Sequence, residues 1–384
     1  MTSKIRRGGD LNSRPHKGTS SQGWRLGPLG YHGLTVNSEI DITFYRMNLS
    51  LALNKIKNDS RFQKSRVIAI QLPEGLKRQI DVITRELVGK DLIFLGDPFW
   101  GACDIPANQK WDLLIQFGHS SIPNLGSFPN VIFEEIQEEM DFEIECDKIP
   151  FKSLTLTSNV TYSGKLPIIK QKLEKCGIRV TLKKGDSRVF YPGQILGCNI
   201  SSARSSDENI LFVGEGIFHP LGIALGLQDK NVLAFNPKTG KYLNMEKEKR
   251  KFLSQRYDAI DLASRAQKFG IIVSTKIGQT RYSLATVALN LLREAGKSPF
   301  IISLDLVRNE ELVNFPAEVY VNTACPRVTI EDYGTFSRPV ITFYELQMAL
   351  GLKNKSRYIF DEIVMTDEIG SVSFRKRDKS PVNY

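Results

Sequence analysis

The sequence has no apolar run of the length that crosses a bilayer, which takes about 20 residues in a helix. Its basic N-terminus is not followed by an apolar segment, so it does not have the pattern of a secretory signal. These absences count against the membrane and secretory classes. We therefore expect a cytoplasmic protein without membrane contact.

Cysteine is also scarce, with five widely spaced residues in a chain of 384 and no Cys-x-x-Cys pair. In a reducing compartment such cysteines are more often free, catalytic or metal-binding than bridged. The pattern therefore predicts thiols rather than disulfides, and any metal site must be assembled from distant segments. The five residues are Cys103, Cys146, Cys176, Cys198 and Cys325.

The net charge of +10 is not concentrated in a cluster of basic residues interleaved with aromatic ones. That cluster would be typical of binding to single-stranded nucleic acid. We interpret the charge as general solubility charge and expect no direct nucleic-acid binding. A nucleic-acid module remains an alternative that rests on charge alone.

Residues 1–46 have no hydrophobic period and are rich in Gly, Ser, Arg and Asn. This composition favours a disordered or spurious N-terminal extension, with Met47 as a plausible true start. From Met47 onward, short apolar runs alternate with helical patterns in three rounds. We place the three repeats at 47–150, 151–243 and 244–384, the last with a C-terminal tail.

Each round contains about four short strands with a continuous apolar run, such as Asn209–Val213, in which the last four residues are all apolar. Continuous apolar strands between helices are typical of parallel sheets that are covered on both faces. The sequence therefore predicts an α/β protein of three pseudo-repeated Rossmann-like domains. Each would be a mostly parallel sheet of about four strands flanked by helices, around a central site.

One cysteine in each repeat follows a Gly or Ala in a loop, namely Cys103, Cys198 and Cys325. Cys325 follows the apolar run Val319–Asn322 and precedes Pro326, so it lies at the carboxyl end of a strand, where α/β sheets place their ligands.

Three thiolates could hold a cubane of four irons and leave one iron open for a substrate. Three-thiolate zinc, which lacks an evident fourth ligand, and three unrelated buried cysteines are the alternatives. We interpret Cys146, in an acidic stretch, and Cys176, at the end of a helix pattern, as structural.

Five motifs, in order and in register with the repeats, resemble the archaeal diphthamide synthesis enzymes, the 2-(3-amino-3-carboxypropyl)histidine synthases. The resemblance covers about residues 60–350. The motifs are Pro73–Leu76, Gly96–Asp104, Gly118–Ser120, Asn236–Gly240 and Thr323–Arg327, with Pro339 and the pair Tyr344 and Glu345 downstream.

The resemblance implies three α/β domains around a [4Fe–4S] cluster that Cys103, Cys198 and Cys325 hold. It also implies that the open iron binds S-adenosylmethionine and that one electron cleaves the sulfonium bond to the γ-carbon. The 3-amino-3-carboxypropyl radical would then add to C2 of a histidine on translation elongation factor 2, the first step of diphthamide biosynthesis. The implied partners are that factor, an unidentified electron donor and a second copy in a homodimer.

Candidate cofactor contacts follow the strands. They are Gly118, His119, Ser120, Gly214, Glu215, Gly216, Gln279 and Arg327. For His119 a site role and a structural hydrogen bond are equally open, whereas His219, before Pro220, is more typical of a turn or core. Arg327 could balance charge in the site or brace its loop.

Two other functions fit the same architecture. A quinolinate-synthase-like dehydratase also has three repeats and three cysteines, but it uses the open iron as a Lewis acid. A non-catalytic partner subunit would support a catalytic paralogue, and the three loop cysteines argue against it.

Overall fold

The computed structural model describes residues 39–106, 110–138 and 141–363, with side chains from Leu49 onward. The predictions for residues 1–38 and for the tail beyond 363 lie outside the described residues. No helix in the described part of the chain is long and apolar enough to span a membrane.

The first repeat begins with helix α1, Glu39–Asn58, so the expected boundary at residue 46 falls inside a helix. The remaining elements are α2 (Ser60–Lys64), β1 (Val67–Gln71), a 3-10 helix (Glu74–Gln79), α3 (Ile80–Glu86), β2 (Asp91–Leu95), β3 (Leu113–Phe117), a 3-10 helix (Pro123–Leu125), β4 (Val131–Glu134) and a 3-10 helix (Cys146–Lys148).

The second repeat has a fifth strand that the sequence pattern does not predict. Its elements are β5 (Ser153–Ser158), α4 (Val160–Ser163), α5 (Leu166–Lys175), β6 (Arg179–Thr181), a 3-10 helix (Ser201–Ala203), β7 (Asn209–Val213), α6 (Phe218–Gly226), β8 (Asn231–Asn236) and β9 (Lys241–Asn244). The extra strand, β9, is antiparallel to β8 at the sheet edge and mostly exposed, so it has no apolar run that would reveal it.

The third repeat contains the longest pair of neighbouring strands, β10 and β11. Its elements are α7 (Glu246–Arg265), β10 (Lys268–Ser274), α8 (Tyr282–Glu294), β11 (Ser298–Leu304), α9 (Asn309–Leu312), β12 (Val319–Asn322), α10 (Arg327–Ile330), a 3-10 helix (Tyr333–Thr335), β13 (Val340–Thr342) and α11 (Phe343–Ala349).

The three sheets share one strand order, in which the first strand of each repeat lies between its second and third. The orders are β2-β1-β3-β4, β6-β5-β7-β8-β9 and β11-β10-β12-β13. All pairings except β8 with β9 are parallel. The predicted α/β triplication is confirmed, and the carboxyl ends of neighbouring strands meet at one edge of each sheet.

Local sequence signals set the ends of several helices. Helix α8 ends before Gly296, whose φ of 69° suits glycine at a helix C-terminus. Helix α11 starts with a capping box in which Thr342 and Glu345 satisfy each other's backbone N–H groups. Glu345 also accepts hydrogen bonds of 2.7 and 2.6 Å from the fully buried Arg256 of α7, which fastens α7 against α11.

The prediction of five free cysteines is wrong for two of them. Cys146 and Cys176 form a disulfide with a sequence separation of 30 residues. The bond joins the 3-10 helix before β5 to the residue that ends α5. Neither spacing nor local motif signals this pairing, because the two residues meet only through the packing of the second repeat.

Candidate functional site

Three free cysteines, one from each repeat, line a single cavity. Cys103 follows β2 and Cys198 follows β6, so these two lie after the second strand of their repeats. Cys325 instead follows β12, the third strand of its repeat. The cysteines therefore share a cavity without occupying equivalent positions in the three repeats.

Burial keeps two of these thiols protonated. It raises the pKa of Cys103 to about 11 and that of Cys325 to about 12, and the charge of the neighbouring cysteines acts in the same direction on both. At neutral pH both groups therefore carry their protons. Because metals bind thiolates, loading of this site must release those protons.

Each cysteine sulfur faces a nitrogen donor. The Nε2 amide of Gln279 lies 3.4 Å from Sγ of Cys103. The Nε of Arg188 lies 3.4 Å from Sγ of Cys198. The charge of Arg327 and then its backbone N–H, which donates to Cys325, lower the pKa of this thiol against the larger effect of burial. Such donors stabilise the thiolate form that a metal requires.

The loop between β10 and α8 contacts both Cys103 and Arg188, the residue that donates to Cys198. The backbone N–H of Gly278 donates to the carbonyl of Cys103 at 3.2 Å. A Cβ at this position would lie 2.3 Å from Cβ of Cys103, so only glycine fits without displacement. The Nη2 of Arg188 donates to the Gly278 carbonyl at 3.0 Å, which links the second repeat to the same loop.

Arg281, at the end of this loop, fixes the third cysteine's segment. Its guanidinium donates to the carbonyls of Thr323 at 3.0 Å and Ala324 at 2.6 Å. It also forms a buried ion pair with Asp361, at 2.7 and 2.8 Å. These contacts fix the backbone of the two residues that precede Cys325.

Arg327 lines the cavity, but acidic side chains already hold its guanidinium. It pairs with Asp332 at 2.8 Å and lies 3.9 Å from the ring centre of Trp100. Lys276, in a buried ion pair with Asp104, approaches the same ring to 5.5 Å. Both suggested roles of Arg327, charge balance and bracing, therefore remain compatible with its position.

Most of the predicted cofactor contacts also line the cavity. They are Gly118, His119, Ser120, Glu215, Gln279 and Arg327. Glu215 pairs with Lys238 at 3.1 Å and accepts a hydrogen bond from Tyr162. Gly214 and Gly216 flank Glu215 but do not themselves line the cavity. The residue assignments as cofactor contacts stay predictions.

Two histidines form part of the wall. His119 packs edge-on against Phe99, and His219 stacks on Phe212 at 5.9 Å. Burial lowers the pKa of each imidazole to about 4. Both rings are therefore neutral at physiological pH, and His219 belongs to the cavity although its sequence context indicated a turn or core.

Sequence reasoning missed Arg188 and Gln194. Gln194 donates to Ser120 at 2.7 Å and so joins the first and second repeats beside the cavity. Arg188 lies ten residues before Cys198 in an irregular segment, with no motif around it. Only the fold brings either residue to the site.

The comparisons with known proteins agree with this geometry. The family model for diphthamide synthesis proteins matches residues 72–359. A 2-(3-amino-3-carboxypropyl)histidine synthase from Pyrococcus horikoshii is 38% identical over 324 residues, which cover 80% of this chain and 92% of that protein. A Methanocaldococcus jannaschii protein of the same name is 28% identical over 352 residues, or 85% and 95% of the two chains.

A solved structure has the same fold. The crystal structure of Dph2 from Pyrococcus horikoshii with a 4Fe-4S cluster superposes with a TM-score of 0.72 at 35% sequence identity. The match covers 82% of this chain and 93% of that one. The similarity therefore extends across all three repeats.

Proposed function

This chain belongs to the family of diphthamide synthesis proteins, and from that premise we propose that it is a 2-(3-amino-3-carboxypropyl)histidine synthase. It transfers the 3-amino-3-carboxypropyl group of S-adenosylmethionine to C2 of a histidine imidazole on translation elongation factor 2. This reaction is the first step of diphthamide biosynthesis. The observation that carries the proposal is the convergence of Cys103, Cys198 and Cys325 on one cavity.

The residues of the cavity fit an iron–sulfur cluster. Three thiols from three repeats supply the sulfur ligands that such clusters require. In the described part of the chain, no group of three or more His, Cys, Asp or Glu side chains is arranged to hold a single metal ion. The crystal structure of Dph2 from Pyrococcus horikoshii with a 4Fe-4S cluster supports a cluster over mononuclear zinc.

A bound [4Fe–4S] cluster would supply one electron to break the bond between the sulfonium sulfur and the γ-carbon of S-adenosylmethionine. The three cysteines would hold the cluster, while Gln279 and Arg188 donate hydrogen bonds to two of their sulfurs. Apolar walls that include Ile122, Leu196 and Phe218, together with two neutral imidazoles, would help to keep water away from a carbon radical.

The rest of the cavity would orient the substrate. We assign this role to Gly118, His119 and Ser120 after β3, to Glu215 with its flanking Gly214 and Gly216, and to Gln279 and Arg327. A cationic amine or sulfonium would share the carboxylate of Glu215 with Lys238, and a substrate carboxylate would share the guanidinium of Arg327 with Asp332.

Three further parts of the proposal concern the setting of the reaction. A separate donor, not yet identified, would bring the cluster to its reduced state. After the radical adds to C2, the adduct would lose one electron and the C2 proton to restore the imidazole, so the transfer consumes no electron overall. The protein acts in the cytoplasm, where elongation factor 2 works, and as a homodimer. It needs no membrane and no direct contact with nucleic acid.

The test is an anaerobic reaction with dithionite, S-adenosylmethionine and elongation factor 2. We expect methylthioadenosine as a product, together with one added 3-amino-3-carboxypropyl group on one histidine by peptide mass spectrometry. Cys103→Ala should abolish both products and the brown cluster absorbance. The double variant Cys146→Ser, Cys176→Ser controls for the loss of cysteines outside the cavity. It should be less stable than the wild type, but below its unfolding temperature it should retain both.

Two results would contradict the proposal. Absence of methylthioadenosine from a cluster-loaded protein would favour a Lewis-acid dehydratase instead. Full activity of Cys103→Ala would remove the cysteines from the mechanism.

A further inference from the structure

Arg188 is a buried cation without a carboxylate partner. Its side chain is almost fully enclosed, with a relative exposure of 3%. Among the ion pairs of the described residues, none includes Arg188. The three other buried arginines of the site and its surroundings each pair with an acid, namely Arg256 with Glu345, Arg281 with Asp361 and Arg327 with Asp332.

A buried guanidinium needs a compensating charge, since desolvation of an isolated ion is costly. The bound site would bring the cysteine thiolates to Arg188, since Cys198 lies against it and Cys103 and Cys325 line the same cavity. The Nε of Arg188 donates to the sulfur of Cys198 at 3.4 Å. The thiolates of the loaded site are therefore the counter-charge of this arginine.

The backbone around Arg188 is fixed relative to Cys198. The N–H of Arg188 donates to the carboxylate of Asp186 at 2.9 Å. That carboxylate also accepts a hydrogen bond of 2.8 Å from the amide of Asn199, the residue after Cys198. On its other side, the guanidinium donates to the carbonyl of Gly278 at 3.0 Å. The cation is thus held in place from two repeats.

The other sulfur donors differ from Arg188 in charge. Gln279 offers a neutral amide to Cys103, and Cys325 receives a backbone N–H. Arg188 is therefore the one charged side chain that donates to a cysteine sulfur in the described hydrogen bonds of this site. Net charge and hydrogen bonds to sulfur are two of the factors that set the reduction potential of an iron–sulfur cluster.

We propose that Arg188 is a positioning residue that makes one-electron reduction of the bound cluster easier. Reduction takes one electron from the external donor, which is oxidised, and adds one negative charge to the cluster. A fixed positive charge beside the Cys198 sulfur favours this reduced state and raises the reduction potential. The inference rests on the proposed function, because it assumes the cluster and the need to reduce it.

The test is a potential titration of the anaerobically reconstituted protein, monitored by electron paramagnetic resonance. Arg188→Gln keeps a donor but removes the charge, whereas Arg188→Lys keeps the charge. We expect the potential of Arg188→Gln to be more negative than that of the wild type. A tenfold lower ratio of reduced to oxidised cluster at a fixed potential corresponds to about 59 mV. Arg188→Lys should recover most of the shift.

Arg179→Gln is the matched control, since Arg179 lies in the same repeat but is largely exposed and pairs with Asp207 at 3.5 Å. Its potential should equal that of the wild type. Iron and sulfide content are measured for every variant. If Arg188→Gln loses its cluster while Arg188→Lys keeps one, the result supports the counter-charge role.

Two outcomes would overturn the inference. One is a fully loaded Arg188→Gln protein with the wild-type potential. The other is loss of the cluster from both Arg188 variants in folded protein, which would make the shape of the guanidinium the requirement rather than its charge. A wild-type protein without a cluster, or without methylthioadenosine formation, would instead refute the proposed function.

Discussion

Replacement of Gly278 by alanine would place a methyl carbon in space that Cys103 already occupies. The new Cβ would lie 2.3 Å from Cβ and 2.7 Å from Cα of Cys103. An ordinary contact starts at 3.4 Å, so the loop must retreat by about 1 Å. Overpacking of this kind costs roughly 1–3 kcal/mol of stability.

The displacement should impair the site more than the fold. Gly278 donates to the carbonyl of Cys103 and accepts from Arg188, and its neighbour Gln279 donates to the Cys103 sulfur. All three contacts depend on the present position of the loop. Because a misplacement of about 1 Å can lower a rate by roughly 100-fold, we expect a loss of that order in methylthioadenosine formation.

Gly334→Ala is the matched control, because no atom lies within 4 Å of the position that its new methyl carbon would take. The assay compares urea unfolding of the metal-free proteins, iron content after reconstitution and the rate of methylthioadenosine formation. A Gly278→Ala protein with wild-type stability, full iron content and wild-type rate would refute the close approach of this loop to Cys103.

Three further predictions concern stability and pH. Removal of the disulfide by Cys146→Ser and Cys176→Ser should lower the free energy of unfolding by about 3–4 kcal/mol, because it closes a loop of about 30 residues; unchanged urea unfolding would contradict this. Glu345→Ala should lower the free energy of unfolding by roughly 3–5 kcal/mol, because it leaves the buried charge of Arg256 without its carboxylate partner. A thermal melt equal to that of the wild type would contradict this. Each of the two cavity histidines has a pKa of about 4 in the folded protein, against an ordinary value of 6.5. Their contribution to the free energy of unfolding of the metal-free protein should therefore be complete above pH 6.5 and be lost as the pH falls towards 4. Urea midpoints across this range should depend less on pH after both are replaced by Gln, and an unchanged dependence would contradict the assignment.

The sequence predicted the α/β repeats because each core strand is a continuous apolar run. The run Val319–Asn322, for example, is buried along its whole length in β12. Pro326 follows as the residue before helix α10, so Cys325 lies in the short loop between them. A strand with a continuous apolar run that ends near proline has few other places in a parallel sheet.

Other features depend on contacts between distant segments. The carbonyl that Arg188 contacts lies 90 residues further along the chain, and no local pattern encodes that distance. The disulfide between Cys146 and Cys176 likewise forms only when the second repeat packs. The edge strand β9 was missed because its side chains are mostly exposed and polar.

The candidate site was partly predictable for the same physical reason. Ligands gather at the carboxyl ends of parallel strands, so the loop cysteines and the residues Gly118–Ser120 could be placed near one another. Their supporting cations could not, since Arg281 acts on backbone carbonyls and Arg188 on a sulfur. Recognition of such contacts requires the folded backbone.

Electron paramagnetic resonance of the anaerobically reduced protein, with and without S-adenosylmethionine, tests the central claim most directly. The claim is that Cys103, Cys198 and Cys325 hold a cluster with one iron open to this substrate. We predict the signal of a reduced [4Fe–4S] cluster that changes when S-adenosylmethionine is added. A reconstituted protein that binds no cluster, or a cluster signal that the substrate leaves unchanged, would contradict it.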